Sequence, residues 1–104
     1  MAERAVVWTH TASRQLREVL KFWVSRNKSA AYSKKLLQKV QDQIEIIQHI
    51  PNGFPKTSYP KTRVAPNGHY SIFYQHNSKQ ITIVAFWDNR QNPTKLLNIL
   101  QQSK

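Results

Sequence analysis

The chain has no cysteine, only two glycines, and five acidic residues against sixteen Lys and Arg. Without thiols there is no disulfide framework and no cysteine-based zinc or iron–sulfur site. With glycine only at Gly53 and Gly68, neither a phosphate-cradling GxxxxGK loop nor a GxGxxG turn can be written. The acid shortage excludes more. Residues 51–104 hold a single carboxylate, Asp88, so a paired-carboxylate glycosidase or a two-metal nuclease lacks its ligands and bases. No apolar run approaches the ~20 residues that cross a bilayer, and the N-terminus shows no signal-peptide core. A single cytoplasmic domain over residues 1–104 is expected, without metal or other cofactor.

What is present is positive charge, +11 over 104 residues. It is spread along the chain, with nine basic and four acidic residues in positions 1–50 and seven and one in positions 51–104. The folded body itself must therefore be cationic, which attracts nucleic acid, ribosomes or an acidic protein.

Hydrophobic periodicity divides the chain. Arg4 to Trp8 is a short β-branched run that predicts a strand. Thr9 or Thr11 can cap a helix whose apolar stripe is Ala12, Leu16, Val19, Leu20 and Trp23. Arg14, Arg17 and Lys21 fall on the opposite, solvated side. After a short connection, Ser29 can cap a second helix with stripe Leu36, Leu37, Val40, Ile44 and Ile47, ended by Pro51-Asn52-Gly53. Tyr32, Ile46 and Ile50 lie beside that stripe, either packing on a loop through Phe54 or offering a docking strip to a partner.

Beyond Pro51 the period becomes two. Lys61 to Val64 predicts a strand, Pro66-Asn67-Gly68 a turn, His69 to Gln75 a strand with Tyr70, Ile72 and Tyr74 on one face, and Gln80 to Trp87 another with Ile81, Ile83 and Ala85 aligned. Thr94 to Gln102 reads as a last amphipathic helix. The order is β-α-α-β-β-β-α, an α+β fold in which a helical hairpin packs on one face of a small antiparallel sheet.

Trp8 before a capped helix with Ala12-x-x-x-Leu16, a second helix closed by Pro51, Arg63 ahead of Tyr70-x-Ile72-x-Tyr74, Ile81-x-Ile83 and the segment Phe86-Trp87-Asp88-Asn89-Arg90-Gln91-Asn92-Pro93 together resemble the RelE/ParE toxin superfamily, including its plasmid stabilisation members. The resemblance implies a toxin of a type II toxin–antitoxin module that causes growth arrest and is neutralised by an acidic antitoxin, whose contacts would include Tyr32, Ile46 and Ile50. It also implies one of two targets: DNA gyrase, for ParE-like members, or mRNA in the ribosome, cut without metal, for RelE-like members.

Metal-free RNA cleavage needs a base for the ribose 2′-OH, cations for the phosphorane charge and an acid for the leaving oxygen. By the resemblance, Lys61, Arg63 and Arg90 match cationic positions of the nuclease branch, and His69 could stand in for its acid or base. Two departures favour the ParE-like branch: Ser71 replaces a basic residue, and the segment after Pro93 has no Tyr or His. Both arginines also have ordinary structural alternatives, since a strand arginine often braces loop carbonyls and Asp88 lies two residues from Arg90. A basic interaction module without toxicity is the remaining alternative.

Overall fold

The computed structural model describes residues 4–102. β1 (Ala5–Trp8) leads into α1 (His10–Asn27) and α2 (Ala31–His49), followed by β2 (Arg63–Asn67), β3 (Tyr70–His76), β4 (Gln80–Asp88) and α3 (Pro93–Gln102). The sheet order is β1-β4-β3-β2. β2, β3 and β4 form the expected antiparallel meander, but β1 lies parallel to β4, with Val6 opposite Ile81 and Trp8 opposite Ile83. The sheet is therefore mixed, not antiparallel throughout. A parallel neighbour needs a long crossover, and here α1, α2, β2 and β3 together supply it.

Thr9 starts α1. Its hydroxyl accepts from the Ala12 N–H at 3.1 Å, filling one unpaired donor of the first turn. Thr9→Ala should cost about 1 kcal/mol of stability, read as a lower urea midpoint; a midpoint unchanged from the parent would show that the cap contributes nothing. α2 has no side-chain cap. Its N-cap residue is Ala30, and the Ser29 hydroxyl accepts from the Ala31 N–H just ahead of the helix. The hairpin is fastened instead by buried Ser33, whose hydroxyl donates to the Leu20 carbonyl at 2.7 Å.

Both predicted stripes face the sheet. Ala12, Leu36, Val40, Ile44 and Ile47 are buried with Ala65, Tyr70, Ile72, Tyr74, Ile81, Ile83 and Phe86, while Leu16, Val19, Leu20 and Trp23 pack at the margin. The other sheet face is not bare, as a two-layer arrangement would leave it. α3 lays Leu96 and Leu100 there, against Ala85 and Trp87. A bulge explains how Ala85 reaches that side. Phe73 pairs with Ala85 and Tyr74 with Ile83, so Val84 is an extra residue and the alternation of β4 inverts beyond it. The predicted alignment of Ala85 with Ile81 and Ile83 fails for that reason, and Phe86 takes the core position.

The loop after α2 is held closely. The buried Tyr74 hydroxyl donates to the Pro51 carbonyl at 2.6 Å, and Phe54 meets the Tyr74 ring edge-on. Gly53 turns where a Cβ would stand 3.0 Å from Ile50 Cδ1 and 3.1 Å from the Ile50 carbonyl oxygen. Strand β2 is displaced from its predicted place. It starts at Arg63 and runs through Pro66 and Asn67, because an edge strand tolerates a proline whose missing N–H would face outward. The turn is then only Gly68-His69, with Gly68 at φ +65°, where an L side chain would be strained.

Candidate functional site

The register of the β2–β3 hairpin decides which candidate residues can meet. Counting from the Gly68-His69 turn, Asn67 faces Tyr70 and Arg63 faces Tyr74, while Tyr70 faces Asp88 on the other side. Lys61 and Arg63 thus belong to the sheet end where β3 finishes, and His69 and Arg90 to the end where it begins. The four residue steps from Tyr70 to Tyr74, the residue opposite Arg63, span roughly 13 Å. The expected four-residue constellation of Lys61, Arg63, His69 and Arg90 is not brought together, and His69 lies away from Arg63.

At the His69 end, a groove of about 540 Å³ opens between α1, the end of β4 and α3. Arg90 lies on its rim, bound to Asp88 by Nη2 at 2.7 Å and by Nε at 2.9 Å. The Arg90 hydrogen bond holds the Asp88 carboxyl below its ordinary range, against some desolvation, with the Arg90 and His69 charges adding to the effect. Since the folded value is depressed, this contribution to stability is present above the unfolded carboxylate range of about 3.9. It is lost as pH falls through the folded value. An NMR titration of Asp88 should have its midpoint below that of an unperturbed Asp, and Arg90→Gln should raise it; equal midpoints in the two chains would refute the pairing.

Arg14 from α1 faces the same groove and Lys95 enters from α3. Arg14 is therefore not simply part of a solvated helix face, as its position on the helix implied. Nothing in the local sequence marks it; only the docking of α1 over the end of β4 brings it near Arg90. Beside the groove an aromatic series leads outward from the core. Phe86 stacks on Tyr70 at 5.0 Å, the Tyr70 hydroxyl accepts from Trp23 Nε1 at 2.8 Å, and the Trp23 ring meets exposed Tyr32 at 4.8 Å and exposed Phe22 at 5.1 Å. Tyr70 and Tyr74, at 3% and 0% exposure, are core residues and cannot stack on a nucleotide base.

Tyr32, Ile46 and Ile50 are all exposed. They lie along one side of α2, but Tyr32 is fourteen residues, about 21 Å, from Ile46. Exposed Lys35 and Lys39 and half-buried Gln43 occupy the interval. The three therefore form an apolar strip with a polar middle, not a continuous patch.

At the opposite sheet end, Lys61 and Arg63 share a second cavity with Lys56 and His76. Arg63 does brace a loop: its Nη1 donates to the Phe54 carbonyl at 2.6 Å, with a longer 3.4 Å contact to the Asn52 carbonyl. Burial lowers the His76 pKa, and the Arg63 and Arg4 charges lower it further. Ser71, the residue that departs from the nuclease pattern, is buried with its hydroxyl donating to Asn89 Oδ1 at 2.7 Å.

A mixed four-stranded sheet with a helical hairpin on one face and a short C-terminal helix on the other, the four candidate site residues divided between its two ends, defines a small basic α+β protein of the RelE/ParE type. The sequence model described as "ParE toxin of type II toxin-antitoxin system, parDE" matches residues 6–93. The chain belongs to the ParE toxin family. Among solved structures it is similar to a chain of the "Chromosomal ParDE TA system from P. aeruginosa", with a TM-score of 0.70 and 19% identity, over 83% of this chain and 96% of that one. At that identity the likeness is one of fold. A comparison with curated protein sequences gives no match. Among the described residues no helix is long and apolar enough to cross a membrane.

Proposed function

We propose that this ParE-family chain arrests growth by acting on DNA gyrase in the cytoplasm, without cutting nucleic acid, and that an acidic antitoxin neutralises it. The observation that carries this reading is the separation of the cationic candidates. A nuclease site needs its groups within hydrogen-bond reach of one phosphate, whereas Arg63 lies opposite Tyr74, roughly 13 Å along β3 from Tyr70, the residue that follows His69 and faces Asp88 beside Arg90. Both arginines have intramolecular partners, Arg63 on carbonyls and Arg90 on Asp88. The described part of α3 offers no Tyr or His to serve as acid.

The antitoxin reading draws on α2. An acidic segment lying along it can cover Tyr32, Ile46 and Ile50 and set carboxylates over Lys35 and Lys39 between them. Purified protein is expected to inhibit gyrase supercoiling or trap cleaved DNA. If supercoiling is untouched, and induced cells instead yield new mRNA ends within codons that vanish on Lys61→Ala, the RelE-like reading replaces this one. Normal growth on expression of the chain alone would leave a basic interaction module.

A further inference from the structure

The cavity at the Arg63 end combines three features that the proposed function does not use. The first is charge of one sign. Lys56, Lys61, Arg63 and His76 line it, and no carboxylate among the described residues does. Burial is the main cause of the lowered His76 pKa, and the Arg63 and Arg4 charges add to it by disfavouring a further positive charge there.

The second is a braced frame. Segment 55–57 pairs with the outer edge of β2 through a Lys56–Arg63 bridge and the Val64 N–H to Pro55 carbonyl bond at 3.0 Å. The Thr57 hydroxyl donates to the Thr62 carbonyl at 2.9 Å, and the Tyr59 hydroxyl donates to the Leu100 carbonyl at 3.0 Å. Lys61 holds φ +61°, a left-handed conformation that is costly for a residue with a side chain. The loop thus places its two lysines on a backbone already fixed from both sides.

The third is the lack of an apolar anchor. Protein interfaces draw most of their affinity from buried aromatic or aliphatic residues. The exposed large hydrophobics, Val7, Phe22, Val24, Tyr32, Ile46, Ile50 and Leu97, all lie outside this cavity. Of its two rings, Tyr59 is half-buried with its hydroxyl engaged and His76 is half-buried beside the Tyr74 ring at 6.2 Å, so neither offers a free platform to a base. Exposed ammonium groups on a braced backbone, without anchors or stacking rings, suit a polymer of regularly spaced, fully ionised, weakly shape-specific anions.

We propose that Lys56 and Lys61, in the cavity they share with the carbonyl-bound Arg63, bind the phosphodiester backbone of nucleic acid, without sequence preference. This goes beyond the gyrase reading and does not depend on it. Fluorescence anisotropy of the purified full chain with a short DNA duplex and with an RNA hairpin, each over a salt series, tests it. The parent chain should bind with an affinity that falls linearly with salt on logarithmic axes. Lys56→Gln combined with Lys61→Asn, the latter chosen because asparagine tolerates the left-handed backbone, should weaken binding about tenfold at low salt and reduce the slope by about two. Lys34→Gln with Lys35→Gln removes the same charge from α2 and should leave the slope unchanged. Thermal melting confirms that both double variants fold.

A selective loss with either polymer supports the proposal and identifies which of them the cavity takes. Equal losses in the two double variants would reduce it to diffuse charge and overturn it. It is likewise overturned if neither polymer binds, or if a polyglutamate peptide alone binds and loses affinity on the Lys56 and Lys61 changes, which would make the cavity a site for acidic protein.

Discussion

Ile83→Ala is expected to lower stability by about 2–5 kcal/mol, against a total of about 5–15 kcal/mol for a domain of this kind. Ile83 is fully buried and central in every direction. It faces Trp8 across the parallel pair and Tyr74 across the antiparallel one, and its carbonyl accepts from the Thr9 N–H at 3.0 Å. Truncation leaves a cavity between rigid strands that cannot collapse without shifting β1 or the bulge beside it, so the transfer and cavity costs both apply. The urea midpoint should fall with an unchanged slope. Val7→Ala is the control: Val7 is in the same parallel pair but 43% exposed, and its loss should stay within about 0.5 kcal/mol. If the two substitutions cost the same, β1 does not join the sheet in this register.

The helical hairpin was legible because two stripes at 3.6-residue spacing, Ala12 to Trp23 and Leu36 to Ile47, each demand a partner face. Nothing else in so short a chain could cover them. β1 was legible as a strand but not in its direction, since four residues carry no information about which neighbour they join. The position of Ala85 was hidden by the bulge at Val84: an inserted residue leaves no mark in an alternating run of Ile, Val and Ala. β2 was misplaced because Pro66 reads as a turn residue unless its strand is known to be an edge.

The separation of Arg63 from His69 and Arg90, by contrast, was present in the sequence. Once Gly68-His69 is taken as a two-residue turn, each residue before it has a fixed partner after it, and Arg63 falls opposite Tyr74. Placing Gly68 last in the turn instead of first shifts that register and draws Arg63 toward His69. Arg14 and His76 were beyond reach for a different reason. Each becomes notable only through a neighbour more than ten residues away in sequence, Arg90 for one and Arg63 for the other.

Antitoxin binding should divide into a kinetic effect of charge and a lifetime effect of apolar contact. Removing three cations that face outward, Lys35→Gln, Lys39→Gln and Arg90→Gln, is expected to slow association about tenfold or more at low salt and to flatten its salt dependence. Dissociation should change less, because exposed ion pairs contribute little once a complex is desolvated and packed. Tyr32→Ala with Ile46→Ala should do the reverse, shortening the lifetime of the complex while leaving association near the parental rate, since a steered encounter is formed before the anchors seat. Tyr32 has the further role of covering Trp23, whose indole N–H holds Tyr70, so Tyr32→Phe is the necessary companion; it keeps the ring contact and should preserve most of the lifetime. Surface plasmon resonance on the immobilised antitoxin over a salt series separates the two rates. An association rate indifferent to salt would remove electrostatic steering from the mechanism, and a complex whose lifetime ignores Tyr32 and Ile46 would place the antitoxin on some surface other than α2.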